Sequence, residues 1–113
     1  QDWYIGSTAR NLGVPQATRD LTHNFAFNDL NSLKTLLDTH QGEFAAVILE
    51  PMNVSYPTQE FLQGVRELTT AHGALLVFDE TITGFRYANG GAQEELGLVP
   101  DLATFGKGLA NGY

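Results

Sequence analysis

Three polar residues in this sequence stand at the ends of short apolar runs. Glu50 follows AAVIL, Asp79 follows ALLVF, and Lys107 comes two residues after DLATF. A carboxylate at the rim of a buried strand is costly unless it is paired or bound to something. Asp79 and Glu80 together close the run LLVFDE. Such an aspartate suits two chemistries: holding magnesium in a phosphate-loop nucleotidase, or pairing with a protonated pyridine nitrogen. The plainer reading is a helix cap or a surface ion pair. Lys107 is one of two lysines and lies between Gly106 and Gly108 in FGKGLANGY. Glycines let backbone approach a ligand closely, and a partly desolvated lysine near a carbonyl forms a Schiff base. Taken alone it reads as a solvated surface lysine. Taken with Asp79, and with an apolar strand before each, it reads as chemistry.

The elements that would position these residues follow from periodicity. In NDLNSLKTLLDTH, Leu30, Leu33, Leu36 and Leu37 share one helical face, and Asn28 or Asp29 caps the start. Residues 45–49 form a continuous apolar run, the pattern of a strand buried on both faces of a parallel sheet. Pro51 ends it. PTQEFLQGVRELTTAHG predicts a second helix capped by Thr58, with Phe61, Leu62, Val65 and Leu68 inward and Gly73 at its left-handed end. Residues 74–78 predict another buried strand, AQEELG a short helical turn, and residues 101–105 a third strand. Residues 1–27 carry Gly6, Gly13 and Pro15 and read mostly as loop. Strand, helix, strand, short helix, strand defines an α/β sheet with right-handed crossovers. Chemistry in such sheets gathers beyond the carboxyl ends of the strands, where Glu50, Asp79 and Lys107 fall.

Composition removes several classes. There are no cysteines, so disulfides and thiolate metal sites are excluded. A net charge of −7 with six basic residues argues against nucleic acid as a partner. No apolar run approaches the roughly 20 residues of a membrane helix, and no secretory signal pattern is present. A cytoplasmic location fits. His23, His40 and His72 lack metal-ligand spacing, so no metal site is expected and all three read as structural. Trp3 and Tyr4 read as packing residues. The nucleotidase reading needs GxxxxGK[ST], which FGKGLANG does not supply: the leading glycine and the hydroxyl after the lysine are both missing.

HGALLVFDETITGFR, followed by GGAQEELGLVPDLATFGKGLANGY, closely resembles the class III pyridoxal-phosphate aminotransferases. Within them it is most similar to the glutamate-1-semialdehyde aminomutase branch. The shared pattern is an apolar strand ending in DE, then TGFR, GGAQ and PDL-x-T-x-GK. AFNDL before the first helix and ILEP at the first strand add to it. The resemblance implies an α/β fold of type I, the large cofactor-binding domain, with a mainly parallel sheet and flanking helices. It implies that Lys107 carries pyridoxal phosphate as an internal aldimine and that Asp79, 28 residues upstream, holds the pyridine nitrogen. Thr81 takes the place of a Val or Ile that packs on the ring. Ile82 takes the place where one subgroup has a glutamine on the ring hydroxyl, so that contact is absent. After ILEP the aminomutases show a glycine-asparagine stretch, whereas this chain reads MNVSYP. Residues 5–20 resemble the mobile active-site segment of that branch in shorter form.

The implied activity is amino-group transfer between an amine or amino acid and a keto or aldehyde acceptor, with intramolecular transfer as the same-fold alternative. The implied assembly is a homodimer. A nucleotide-binding fragment with Asp79 on magnesium, and a non-catalytic domain whose polar strand ends are only caps, are the readings from other classes. The chain begins at Gln1 and stops inside a glycine-rich turn, so residues 1–113 are expected to be a fragment of the large domain. In the family a phosphate-binding glycine-serine/threonine loop and a ring-stacking aromatic lie upstream. A threonine of the partner subunit and carboxylate-binding arginines lie downstream. Residues 1–113 alone are therefore expected to bind pyridoxal phosphate weakly and to be inactive, and a tight 1:1 complex by calorimetry would overturn that expectation.

Overall fold

The computed structural model describes residues 12–52 and 55–110. These form α1 (Gln16–Arg19), α2 (Leu30–Thr39), β1 (Ala46–Leu49), α3 (Gln59–Ala71), β2 (Leu75–Glu80), α4 (Gly91–Leu96) and β3 (Leu102–Phe105). The strands lie side by side in the order β1-β2-β3, and both pairings are parallel. The α/β arrangement expected from the alternation of apolar runs and helical periods is the one that forms.

Local chemistry explains the boundaries. The Asp29 side chain caps α2 by accepting from the Ser32 N–H. Thr58 caps α3 by accepting from the Phe61 N–H at 3.1 Å. Each cap satisfies a helix-start donor that has no partner within the helix. α3 ends at His72, with Gly73 in the left-handed conformation expected for it. The core joins Leu33 and Leu37 of α2, Phe61, Leu62 and Val65 of α3, and Val47, Leu49, Leu76 and Phe78 of the sheet. Leu30 and Leu68 pack against it while only partly buried.

Three details differ from the sequence reading. Residues 16–19 form one helical turn, which the Pro15 carbonyl starts by accepting from the Thr18 and Arg19 N–H groups. β2 runs to Glu80, so Asp79 is its penultimate residue and not the residue after it. The strands are also unevenly buried on the face away from the core: Val77 there is buried, whereas Leu75 at the start of β2 and most of β3 are exposed. In register, Val47, Leu49, Leu76, Phe78 and Glu80 share the face that meets the helices. Ala46, Ile48, Leu75, Val77 and Asp79 share the other, and Leu75 there is 48% exposed. β3, the least apolar strand, is largely exposed.

Residues 5–11 of the segment compared with a mobile loop lie outside the described residues, as do Trp3 and Tyr4. The histidines make local contacts. His40 caps α2 and pairs with Glu43 at 2.9 Å, His23 stacks on His40, and His72 caps α3 beside Asp38.

Asn28 does not cap α2. It adopts φ 61°, and its amide ties two helix starts together. Oδ1 accepts from the Thr58 N–H at 2.9 Å, and Nδ2 donates to the Tyr56 carbonyl at 3.1 Å. Asparagine tolerates the left-handed region better than most residues. Asn28→Ala is expected to cost about 1–3 kcal/mol, from two lost hydrogen bonds and the left-handed backbone. Asn28→Gly should cost less, because it keeps the backbone. Equal denaturant midpoints for Asn28→Ala and the unsubstituted protein would show the tie to be idle.

Candidate active site

β2 ends in two adjacent carboxylates, and the alternation of a strand sends them to opposite faces. Asp79 faces away from the helices and Glu80 faces into them. Asp79 is paired in register with Thr104 of β3. Its Oδ1 accepts from the Thr104 hydroxyl at 3.0 Å, the Thr81 hydroxyl at 2.6 Å and the Thr81 N–H at 3.0 Å. Among the described residues no hydrogen bond reaches Oδ2. The carboxylate is therefore held by one oxygen while the other stays available to a donor. Burial pushes the Asp79 carboxyl up, but the hydrogen bonds from Thr81 and Thr104 and the charge of Lys107 outweigh it and hold the group below its usual range.

Glu50 directly follows β1, and Leu49 pairs with Phe78, so the register continues Glu50 to the side of Asp79. Burial pushes its carboxyl up, the charge of Asp79 pushes it further, and Lys107 partly opposes both. Lys107 follows β3 in the turn that closes with the Leu109 N–H donating to the Gly106 carbonyl at 2.8 Å. The three strand ends thus bring Glu50, Asp79 and Lys107 into one electrostatic neighbourhood, as their positions in the sequence imply.

The finer placements are new. Thr81 spends its hydroxyl on Asp79, so this polar residue serves the carboxylate directly. Ile82 has no polar group to enter this network and stands 44% exposed on the following turn. Thr104 was not singled out from the residue pattern. Its signal is the threonine of PDL-x-T-x-GK, which gains meaning only once β3 is paired with β2.

The glycines beside Lys107 also have a structural partner. A β-carbon at Gly106 would lie 3.1 Å from Thr81 Cγ2, and one at Gly108 would lie 3.2 Å from the Gly84 carbonyl oxygen. The lysine loop is seated on the turn that follows Asp79, and side chains at 106 or 108 would press it away. Lys107 itself has φ 33°, a left-handed backbone that L side chains adopt at a cost.

Parallel strands with polar groups gathered at their carboxyl ends make an α/β sheet, and the comparisons narrow this to one family. The model of the family described as Aminotransferase class-III matches residues 7–113, and the chain belongs to that family. It is 48% identical to a glutamate-1-semialdehyde 2,1-aminomutase 2 of Brevibacillus brevis, over 88% of this chain and 24% of that protein. It superposes on the internal aldimine form of the FumI protein of Sphingopyxis sp. MTA144 with a TM-score of 0.86 and 33% identity, covering 100% of this chain and 28% of that one. A glutamate-1-semialdehyde aminomutase of Pseudomonas aeruginosa PAO1 matches with a TM-score of 0.71 and 36% identity, covering 89% of this chain and 22% of that one. The chain spans about a quarter of the length of these relatives. Family membership sets aside the nucleotidase reading. No helix among the described residues is long and apolar enough to cross a membrane.

The backbone at Lys107 makes a prediction that is independent of activity. Glycine is ordinarily less stable than alanine in regular structure by about 0.5–1 kcal/mol. In ligand-free protein Lys107→Gly is expected to be more stable than Lys107→Ala, by about 1 kcal/mol, because only glycine relieves the left-handed backbone. Denaturant midpoints of the two variants decide it, and the ordinary order would mean that the turn relaxes.

Proposed function

We propose that this chain is part of the large, cofactor-binding domain of a pyridoxal-phosphate transaminase. The full enzyme moves an amino group between an amine or amino acid and a keto or aldehyde acceptor. The observation that carries this reading is Asp79: its Oδ1 is fixed by three hydrogen bonds, its charge is maintained, and its Oδ2 is left for a donor, with Lys107 on the neighbouring strand end. That donor set fits the cofactor at two points. An anionic aspartate suits a ring N–H⁺, and a primary amine on a long stem suits an aldehyde.

When bound, pyridoxal phosphate supplies an electron-withdrawing ring that makes a proton next to the substrate nitrogen easier to remove. The protein's residues do the rest. Asp79 would hold a proton on the ring nitrogen and orient the ring. Because its carboxyl lies below the usual range near ~4, it stays ionised throughout neutral pH. Lys107 Nζ would attach the cofactor through its aldehyde and, as a free amine, would move a proton at the substrate carbon. Thr81 keeps Asp79 in place, and Thr81 and Ile82 border the ring. A homodimer in the cytoplasm, with sites completed at the subunit interface, follows the family pattern.

A second reading, glutamate-1-semialdehyde aminomutase, is supported by the 48% identity to the Brevibacillus protein. MNVSYP after ILEP departs from that branch and places intermolecular transfer first.

The test uses the full-length enzyme with pyridoxal phosphate. A band near ~420 nm, fixed by borohydride as a pyridoxyl group on Lys107 in peptide maps, is expected. Cofactor-replete protein without an adduct on Lys107 would overturn the assignment. Asp79→Asn should keep the adduct but lower kcat by about 10²–10³, the scale for losing one fixed electrostatic partner. Turnover of an amine with a keto acid supports transamination, whereas turnover of glutamate 1-semialdehyde alone supports the aminomutase.

A further inference from the structure

Glu80 is a wholly buried carboxylate that the proposed reaction does not use. Among the described residues no cation pairs with it. Hydrogen bonds satisfy it instead, and they come from two directions. Oε1 accepts from the Thr83 hydroxyl at 3.2 Å, within the turn after β2, and from the Ala92 N–H in the first turn of α4. Oε2 accepts from the Gln93 side-chain amide at 2.8 Å. The pocket is shaped around this group. Gly91 has φ 76°, and a β-carbon there would lie 2.5 Å from Glu80 Oε1.

The turn that Glu80 anchors is the one that supports the lysine loop. The Gly84 N–H donates to the Glu80 carbonyl at 2.8 Å, and the Arg86 N–H donates to the Thr83 carbonyl at 3.1 Å. On the other side Thr81 Cγ2 and the Gly84 carbonyl bear on Gly106 and Gly108. Phe85, at φ 65°, shows that the turn is held in a backbone state its own residues disfavour. A strained turn keeps its shape only if its surroundings determine it, and Glu80 is the surrounding group that grips it from the interior.

We propose that Glu80 is a positioning residue for Lys107: gripping Thr83 from an anchor shared with Ala92 and Gln93, it fixes the 81–84 turn on which the Gly106–Lys107–Gly108 loop is seated. The proposal rests on the reading of Lys107 as the attachment lysine. The role is geometric and does not need the charge. In Glu80→Gln one oxygen still serves Thr83 and Ala92, and the Gln93 amide turns over to accept from the new NH₂.

The test is run on the full-length holoenzyme, reading kcat, KM for the amine donor, thermal midpoint, and visible circular dichroism per unit of cofactor absorbance. That last signal reports how firmly the group on Lys107 is oriented. Thr83→Val cuts the link to the turn and leaves the bonds to α4, and Glu80→Ala removes the whole anchor. Both are expected to lower kcat by roughly 10- to 100-fold, the scale of a small misplacement, and to weaken the visible dichroism with KM nearly unchanged. Glu80→Gln should restore both to within about threefold. Leu37→Val, in the α2 core away from the site, controls for stability: its midpoint falls while kcat and dichroism hold.

Should Glu80→Ala fail to fold, Thr83→Val decides. Unchanged kcat and dichroism in Thr83→Val would overturn the proposal, as would a Glu80→Gln enzyme as impaired as Glu80→Ala. A wild-type enzyme with no pyridoxyl adduct on Lys107 would overturn the attachment reading and this inference together. A normal adduct with turnover indifferent to Thr83 overturns this inference alone.

Discussion

The alternation of side chains at the end of β2 is the constraint on which the site depends. Two carboxylates stand next to each other in sequence, and the strand sends one to each face. Ending the strand one residue earlier would release Glu80 from the ladder and loosen the fixed opposition. Because β2 continues through Glu80, Asp79 is locked beside Thr104 on the open face, and Glu80 is delivered to the interior. A buried carboxylate is tolerable only with its lone pairs occupied. Thr83, Ala92 and Gln93 occupy them, and in doing so they settle where the chain goes next. The same dipeptide therefore specifies both a functional group and the connection that follows it.

The lysine loop depends on that connection. Lys107 follows the edge strand β3, which is largely exposed and offers little packing of its own. What seats the loop is close approach to the turn after Asp79, so that β-carbons at 106 and 108 would lie only 3.1 and 3.2 Å from it. The glycines therefore explain the closeness of two turns as well as the freedom of one. Asp79 and Lys107 are far apart in sequence, yet their relative position is set by a direct contact between the segments that bear them.

Much of this was legible in the sequence, for identifiable reasons. The helices announced themselves through leucine spacing and the caps Asp29 and Thr58, and the strands through uninterrupted apolar runs. Glu50, Asp79 and Lys107 were visible because polar residues end those runs. What stayed hidden depends on pairing. The roles of Thr104 and Glu80 need the register of β2 against β3 and the path of the chain back to Gln93, and no local pattern encodes either. The expectation of strands buried on both faces holds only in part. An apolar run reports that a strand is coverable, and on the face away from the core Val77 is buried while Leu75 is 48% exposed. Asn28 and Asp29 both have the type of a cap, and only Asp29 takes that place. The bond of Asn28 to Thr58, 30 residues away, is a tertiary fact.

The two carboxylates that feel the charge of Lys107 are pushed in opposite directions. Asp79 has three donors on one oxygen and stays charged, whereas Glu50 lies beside it with burial and a like charge both raising its carboxyl. Neighbouring acids driven apart in this way divide labour: one is the permanent anion, and the other holds its proton more readily. The two shifts also act oppositely on stability. Asp79, depressed on folding, stabilises the fold above its unfolded pKa, and that stability is lost as pH falls through its folded value. Glu50, raised on folding, opposes the fold once pH exceeds its unfolded pKa, and the penalty is relieved as pH falls. The two groups thus lean opposite ways within one neighbourhood, and the charge of Lys107 acts to lower both.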